Sequence, residues 1–253
     1  MRKLGNCLRY DIKEGIFGMW QLYALALLLI LMVAGEVSFF TEDAGVIQIS
    51  EKMFEGINEY VYIKGGPPFE IPVRYLILSL LPGIFVCYYP IREWKLRGNM
   101  YISRYQSKGI WWLSKCIWCV FQSVLFYLTV FAAALIVSIV KGNAGGTQPD
   151  NAWTLFCYIY VLGFLTTLAF NQCILVFQMV LSPMIAYLIV MAVIVCSAYY
   201  FKWYLIGNYY MLLRSRIFLE NGILFSRAAV FDVVLWGVAV IGGYVVVKRM
   251  DLI

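Results

Sequence analysis

From Asn151 to Phe201 the chain runs for 51 residues without a formal charge. One straight helix of that length would reach about 75 Å, more than twice the roughly 30 Å hydrocarbon layer of a bilayer. The chain must therefore reverse within this stretch, and Ser182-Pro183 is the best place. Proline suits the first turn of a new helix and interrupts the interior of an old one. The same apolar excess runs through the whole chain. Of its 253 residues 63% are apolar and 13% charged, against about half and a quarter in soluble domains. So little charge cannot cover the surface of a water-soluble fold of this size. The expected fold class is an all-α polytopic membrane protein with six transmembrane helices, formed as one domain over residues 1–253.

Apolar runs place the spans at about 16–35, 74–91, 110–140, 152–178, 183–201 and 228–247. The first follows a charged start and lacks a small-residue cleavage site, so it reads as a retained span and not a signal peptide. Within residues 1–15, Leu4, Leu8 and Ile12 share one helical face while Arg9, Asp11 and Lys13 lie away from it. That pattern predicts an N-terminal amphipathic interfacial helix. Span two contains Pro82, which predicts a kink. Span three is longer than the bilayer requires, which places Ser103, Lys108 and Lys115 at a wet inner end.

The connections are less regular. Residues 36–73 carry seven acidic side chains against Lys52 and Lys64. Gly65-Gly66-Pro67-Pro68 must be irregular, and residues 47–63 suit a short helix or a hairpin. Residues 141–151 form a polar turn. Residues 202–230 mix Lys202, Arg214, Arg216, Glu220 and Arg227 with tyrosines and leucines, which predicts two short re-entrant or surface-lying helices, with Asp232 near the outer end of span six. Asn171, Gln172 and Gln178 either mark the inner end of span four or hydrogen-bond inside the bundle.

The inventory excludes several chemistries. Without histidine there is no histidine-built zinc site, Ser-His-Asp triad or histidine-held haem. Cys116 and Cys119 form a CxxC at the start of a hydrophobic helix with no second pair nearby, which reads as packing. No GxxxxGK[ST] phosphate loop occurs, so this chain cannot bind nucleotide by that route. No catalytic, cofactor or metal residue stands out, and the chain is not expected to be an enzyme. The net charge of +6 sets orientation instead of marking nucleic-acid binding. With six spans and a cytoplasmic N-terminus, inner segments hold twelve basic and four acidic residues, and outer ones eight and ten. Both termini are then cytoplasmic.

The most basic inner segment, residues 92–108, interleaves charge with Trp94, Leu96, Met100, Tyr101, Ile102 and Tyr105. It offers a partner an apolar anchor with a polar rim, or it lies on anionic headgroups. Four features together resemble the membrane permease subunits of type-2 ABC exporters, including compact bacterial permeases of peptide-antibiotic export or self-protection. They are the N-terminal surface helix before six spans, the basic segment ending in the stretch from Ser103 to Lys115, the stretch from Ile206 to Ser215, and a last span closing in Val247-Lys248-Arg249-Met250-Asp251.

That resemblance implies a permease paired with a second, identical or related permease and two cytoplasmic ABC ATPase subunits in a bacterial cytoplasmic membrane. ATP and magnesium belong to the partner, and the cargo is peptide-like or amphipathic. Force would enter through residues 1–15 and 92–108, with Trp94, Leu96, Arg97, Tyr101, Ile102, Arg104 and Lys108 as coupling residues. Arg214, Arg216 and Arg227 would contact substrate or headgroups on the outer side, or simply anchor surface helices there. The alternative is a membrane scaffold, regulatory or immunity subunit that does not transport.

Overall fold

A computed structural model describes residues 2–39, 45–59, 69, 72–105, 107–142, 149 and 151–249; the side chains of 2, 3, 88 and 95–105 lie outside the description. Among the described residues the fold is all-helical. It comprises α1 (Arg2–Gly15), α2 (Trp20–Phe39), α3 (Val46–Met53), α4 (Val73–Tyr105), α5 (Lys108–Val140), α6 (Ala152–Phe156), α7 (Gly163–Val180), α8 (Pro183–Tyr199) and α9 (Phe225–Arg249). Five helical stretches are long and apolar enough to cross a membrane: Leu4–Phe39, Val73–Trp94, Lys108–Val140, Ala152–Val180 and Phe225–Arg249. The expected fifth span, α8, has 17 residues, at the short limit for a helical crossing.

Local chemistry accounts for most boundaries. Ser107 caps α5, its hydroxyl accepting from the Ile110 amide at 3.4 Å. Ser182 does the same for α8 with Pro183 in its first turn, so the chain reverses where the uncharged stretch requires. The 47–63 alternatives resolve in part as the helix α3, whose Val46, Ile49, Ser50 and Met53 are buried. The glycine–proline run at 65–68, the middle of the 141–151 turn and residues 250–253 lie outside the described residues.

The structure departs from expectation in four places. First, α4 does not end at 91: it continues for 33 residues through Pro82 and Pro90 to Tyr105, so residues 92–105 form a helical arm, not a loop. Second, α1 buries Cys7 and Asp11, and Asp11 faces the bundle instead of lying away from it. Third, Lys115 is fully buried and does not belong to a wet end. Fourth, residues 202–224 hold only two 3-10 turns, Ile206–Tyr210 and Leu212–Arg214, and one bridge between Ser215 and Ile223.

The span from Ala152 is also not uniform. Residues Cys157–Leu162 form a π-helical segment between α6 and α7, a widening that shifts side-chain register within a helix. It lets two nearby tyrosines serve different neighbours: Tyr160 shares a 2.7 Å hydrogen bond with Ser50 of α3, while the Tyr158 hydroxyl accepts from the Phe225 amide at 3.0 Å.

Candidate functional site

At the end of the bundle where α1, the α4 arm and the first turns of α5 meet, three charged side chains are buried together. Lys115 forms ion pairs with Asp11 of α1 and Glu93 of α4. All three are at most 5% exposed. Ser114 donates to the second Asp11 oxygen, and the Tyr89 hydroxyl donates to the first at 2.9 Å. The Lys115 ammonium lies 4.6 Å from the Tyr89 ring centre and 5.6 Å from that of Trp111, within cation–π range. Burying ions costs several kcal/mol each unless attraction and hydrogen bonds compensate, and this cluster supplies a shared cation to both acids and hydrogen bonds to Asp11.

Packing closes the cluster. Gly15 ends α1 against Trp118 and Tyr89, where an added Cβ would stand 2.7 Å from the Trp118 indole nitrogen. Trp94 packs against Trp111 with ring centres 4.5 Å apart and the planes tilted by 56°, so this residue, expected to couple to a partner, is the root of the arm and not a free anchor. Lys108 reaches the Lys248 carbonyl at 3.5 Å, tying the start of α5 to the end of α9. The other expected coupling residues, Leu96, Arg97, Tyr101, Ile102 and Arg104, sit on the arm's helical backbone with side chains outside the description.

The three outer arginines are not brought together as one surface. Arg214 is fully buried, which corrects its assignment to substrate or headgroup contact. Its guanidinium donates to the carbonyls of Ser197, Ala198 and Tyr200 at the end of α8, to Ile57 and Asn58, and to the Asn208 side chain. A rigid five-donor fork matches such a ring of acceptors. Burial lowers the Arg214 pKa, with Tyr75 and then Glu59 opposing. Arg216 and Arg227 remain exposed, and Arg227 lies 4.3 Å over the Trp203 ring.

The same region stitches two distant segments into one cap. The Leu212 and Leu213 amides donate to the Phe54 and Glu55 carbonyls at 3.0 and 3.1 Å. Gly56 adopts a positive φ of 71°, and a Cβ there would stand 2.6 Å from Met211. Beside this cap an open cleft of about 290 Å³ is lined by Glu36, Lys52, Glu55, Arg74 and apolar neighbours, with Arg74 paired to Glu36 at 2.9 Å.

No protein-family model, curated protein or solved structure significantly matches this chain.

Inside the bundle, two of the three amides of span four, Asn171 and Gln172, take the second of their two expected roles, while Gln178 is buried with no hydrogen-bond partner among the described residues. Asn171 donates to Ser123 at 3.2 Å and Gln172 to the Cys116 sulfur at 3.2 Å. Cys116 and Cys119 are buried unpaired thiols. The sequence placed Asp232 near one end of span six but gave it no partner. It lies fully buried against α7, where Thr166 Oγ1 approaches Asp232 Oδ2 at 2.8 Å. An acid two turns inside an apolar helix is a signal in itself, but its partner is 66 positions away. Among the described residues no group of three or more metal-ligating side chains occurs.

Proposed function

We propose that this chain is the membrane permease subunit of an ATP-driven exporter of the type-2 ABC class, taking its energy from a separate cytoplasmic ATPase. The observation that carries the reading is the Asp11–Lys115–Glu93 cluster. It fastens the two segments expected to receive force, α1 and the α4 arm, to α5. The 33 residues of α5 would extend about 50 Å, so a push on the arm would be carried to the opposite side of the bundle.

Three further features support the reading: the apolar length of the spans, the basic inner segments and the outer cap pinned by Arg214. In this reading the cap holds the outer ends of α3 and α8 in register. The arm offers the partner its basic and aromatic sequence beyond Trp94, and the translocation path lies between two permeases. The cargo is amphipathic or peptide-like.

The test is co-purification with the cognate ATPase. Replacing Leu96, Tyr101 and Ile102 together with alanine is expected to reduce ATPase recovery at least tenfold while leaving the permease level near wild type. Unchanged recovery would contradict the reading, and loss of permease and ATPase in equal proportion would reduce the arm to a folding element.

A further inference from the structure

Thr166 Oγ1 lies 2.9 Å from the Leu162 carbonyl oxygen and 2.8 Å from Asp232 Oδ2. A hydroxyl has one hydrogen to give. If Asp232 were ionised, its two oxygens would share at most that single donor, because Oδ1 has no hydrogen-bond partner. Among the described residues Asp232 also makes no ion pair. A carboxylate so placed, with no exposed surface, carries a desolvation cost of several kcal/mol.

One proton on Oδ2 removes the conflict. The carboxyl O–H then donates to Thr166 Oγ1, and the Thr166 hydroxyl donates to Leu162, giving an unbroken chain from α9 into α7. The remaining oxygen becomes an ordinary carbonyl, much cheaper to bury without a donor than an anion.

The groups around Asp232 add no charge that would hold it ionised. From α5 comes Tyr127, and from the 206–210 turn come Tyr209 and Tyr210, all neutral phenols at ordinary pH. From α7 comes Thr166. On α9 itself, Arg227 precedes Asp232 by five residues, about 140° around the helix, and it is exposed over Trp203. One turn beyond Asp232, the buried Trp236 indole N–H also has no acceptor among the described residues.

We propose that Asp232 is a reversible proton-binding site in the α7–α9 seam, occupied in this conformation and emptied to water when the seam opens. On release the O–H bond breaks, the electron pair stays on the carboxylate, and the proton passes to water that enters the seam. The sign follows. The closed seam binds a proton that the hydrated carboxyl gives up above about pH 4, so acid favours the closed arrangement and rising pH weakens it. This inference requires neither an ATPase partner nor a cargo.

The test is infrared spectroscopy of the purified full chain in lipid at neutral pH, with aspartate labelled with ¹³C at its side-chain carboxyl. The chain has five aspartates. One label-sensitive protonated-carboxyl band is expected in the wild type, and its loss in D232N. That substitution is isosteric and neutral, so it is also expected to flatten the fall of thermal stability with pH. Absence of the band in the labelled wild type overturns the proposal even if D232N fails to fold. Persistence of the band in D232N assigns the proton to another aspartate and overturns it equally.

Discussion

Adjacent glycines in α9 have opposite roles. A Cβ on Gly243 would overlap the Trp112 ring, whereas one on Gly242 would meet nothing within 4 Å. Trp112 enters this notch and donates its indole N–H to the Val240 carbonyl at 2.9 Å. Gly243→Ala is therefore expected to cost about 1–3 kcal/mol by overpacking. Gly242→Ala should be neutral or stabilise by up to about 1 kcal/mol through helix propensity. Thermal unfolding of both variants in one detergent checks the difference in sign, and equal shifts would contradict the packing described.

At this scale the sequence was informative where chemistry is local. Ser182-Pro183 announces the reversal before α8 because the amide that Ser182 serves is three residues away. The partner of Gly243 and the burial of Lys115 were opaque for the converse reason. The notch in α9 is filled by a side chain more than a hundred positions earlier, and Lys115 meets an acid from the other end of the fold. Beside a basic segment, an isolated lysine reads as wet until its partner is known.

Among the elements, α1 is the most dependent on the ionic cluster, since it joins the bundle mainly against α5 and brings a carboxylate into the contact. Replacing Lys115 with methionine would leave Asp11 and Glu93 buried without their shared cation, a change expected to cost about 3–5 kcal/mol. Hydrogen exchange should then accelerate selectively over residues 2–15, with α7 and α9 little changed. Adding Asp11→Asn and Glu93→Gln to the same chain should recover part of the loss, because the stranded charges are gone. Uniform exchange across the bundle, or no change in α1, would remove the cluster's role as a fastener.

The element boundaries of α5, α8 and α9 were legible from apolar runs and punctuation. The α4 arm was not. The charges from Arg92 onward suggested that the span stops near 91, but the helix runs on through Pro90, which removes only one backbone donor, and the turns beyond it continue on contacts such as Trp94 with Trp111. The 202–224 region was opaque as well. It has no helical period to read, and its turns are held by long-range bonds to residues 54–58 and to the end of α8.

The whole molecule divides into two fastened ends around an apolar middle. At one end the ionic cluster binds α1, the α4 arm and α5; at the other Arg214 binds the outer connection to the end of α8. Between them a few amides and hydroxyls pair across helices, as with Asn171 and Ser123 or Thr167 and Tyr210. Under the proposed function, that arrangement carries displacement from one side to the other, and the energy comes from a partner. The most direct test is the mass of the complex released from native membranes in nanodiscs. We predict two ATPase subunits and two permease chains, this one with an identical or related copy. A chain that purifies alone at native levels, or that moves cargo with no ATPase present, would contradict the account.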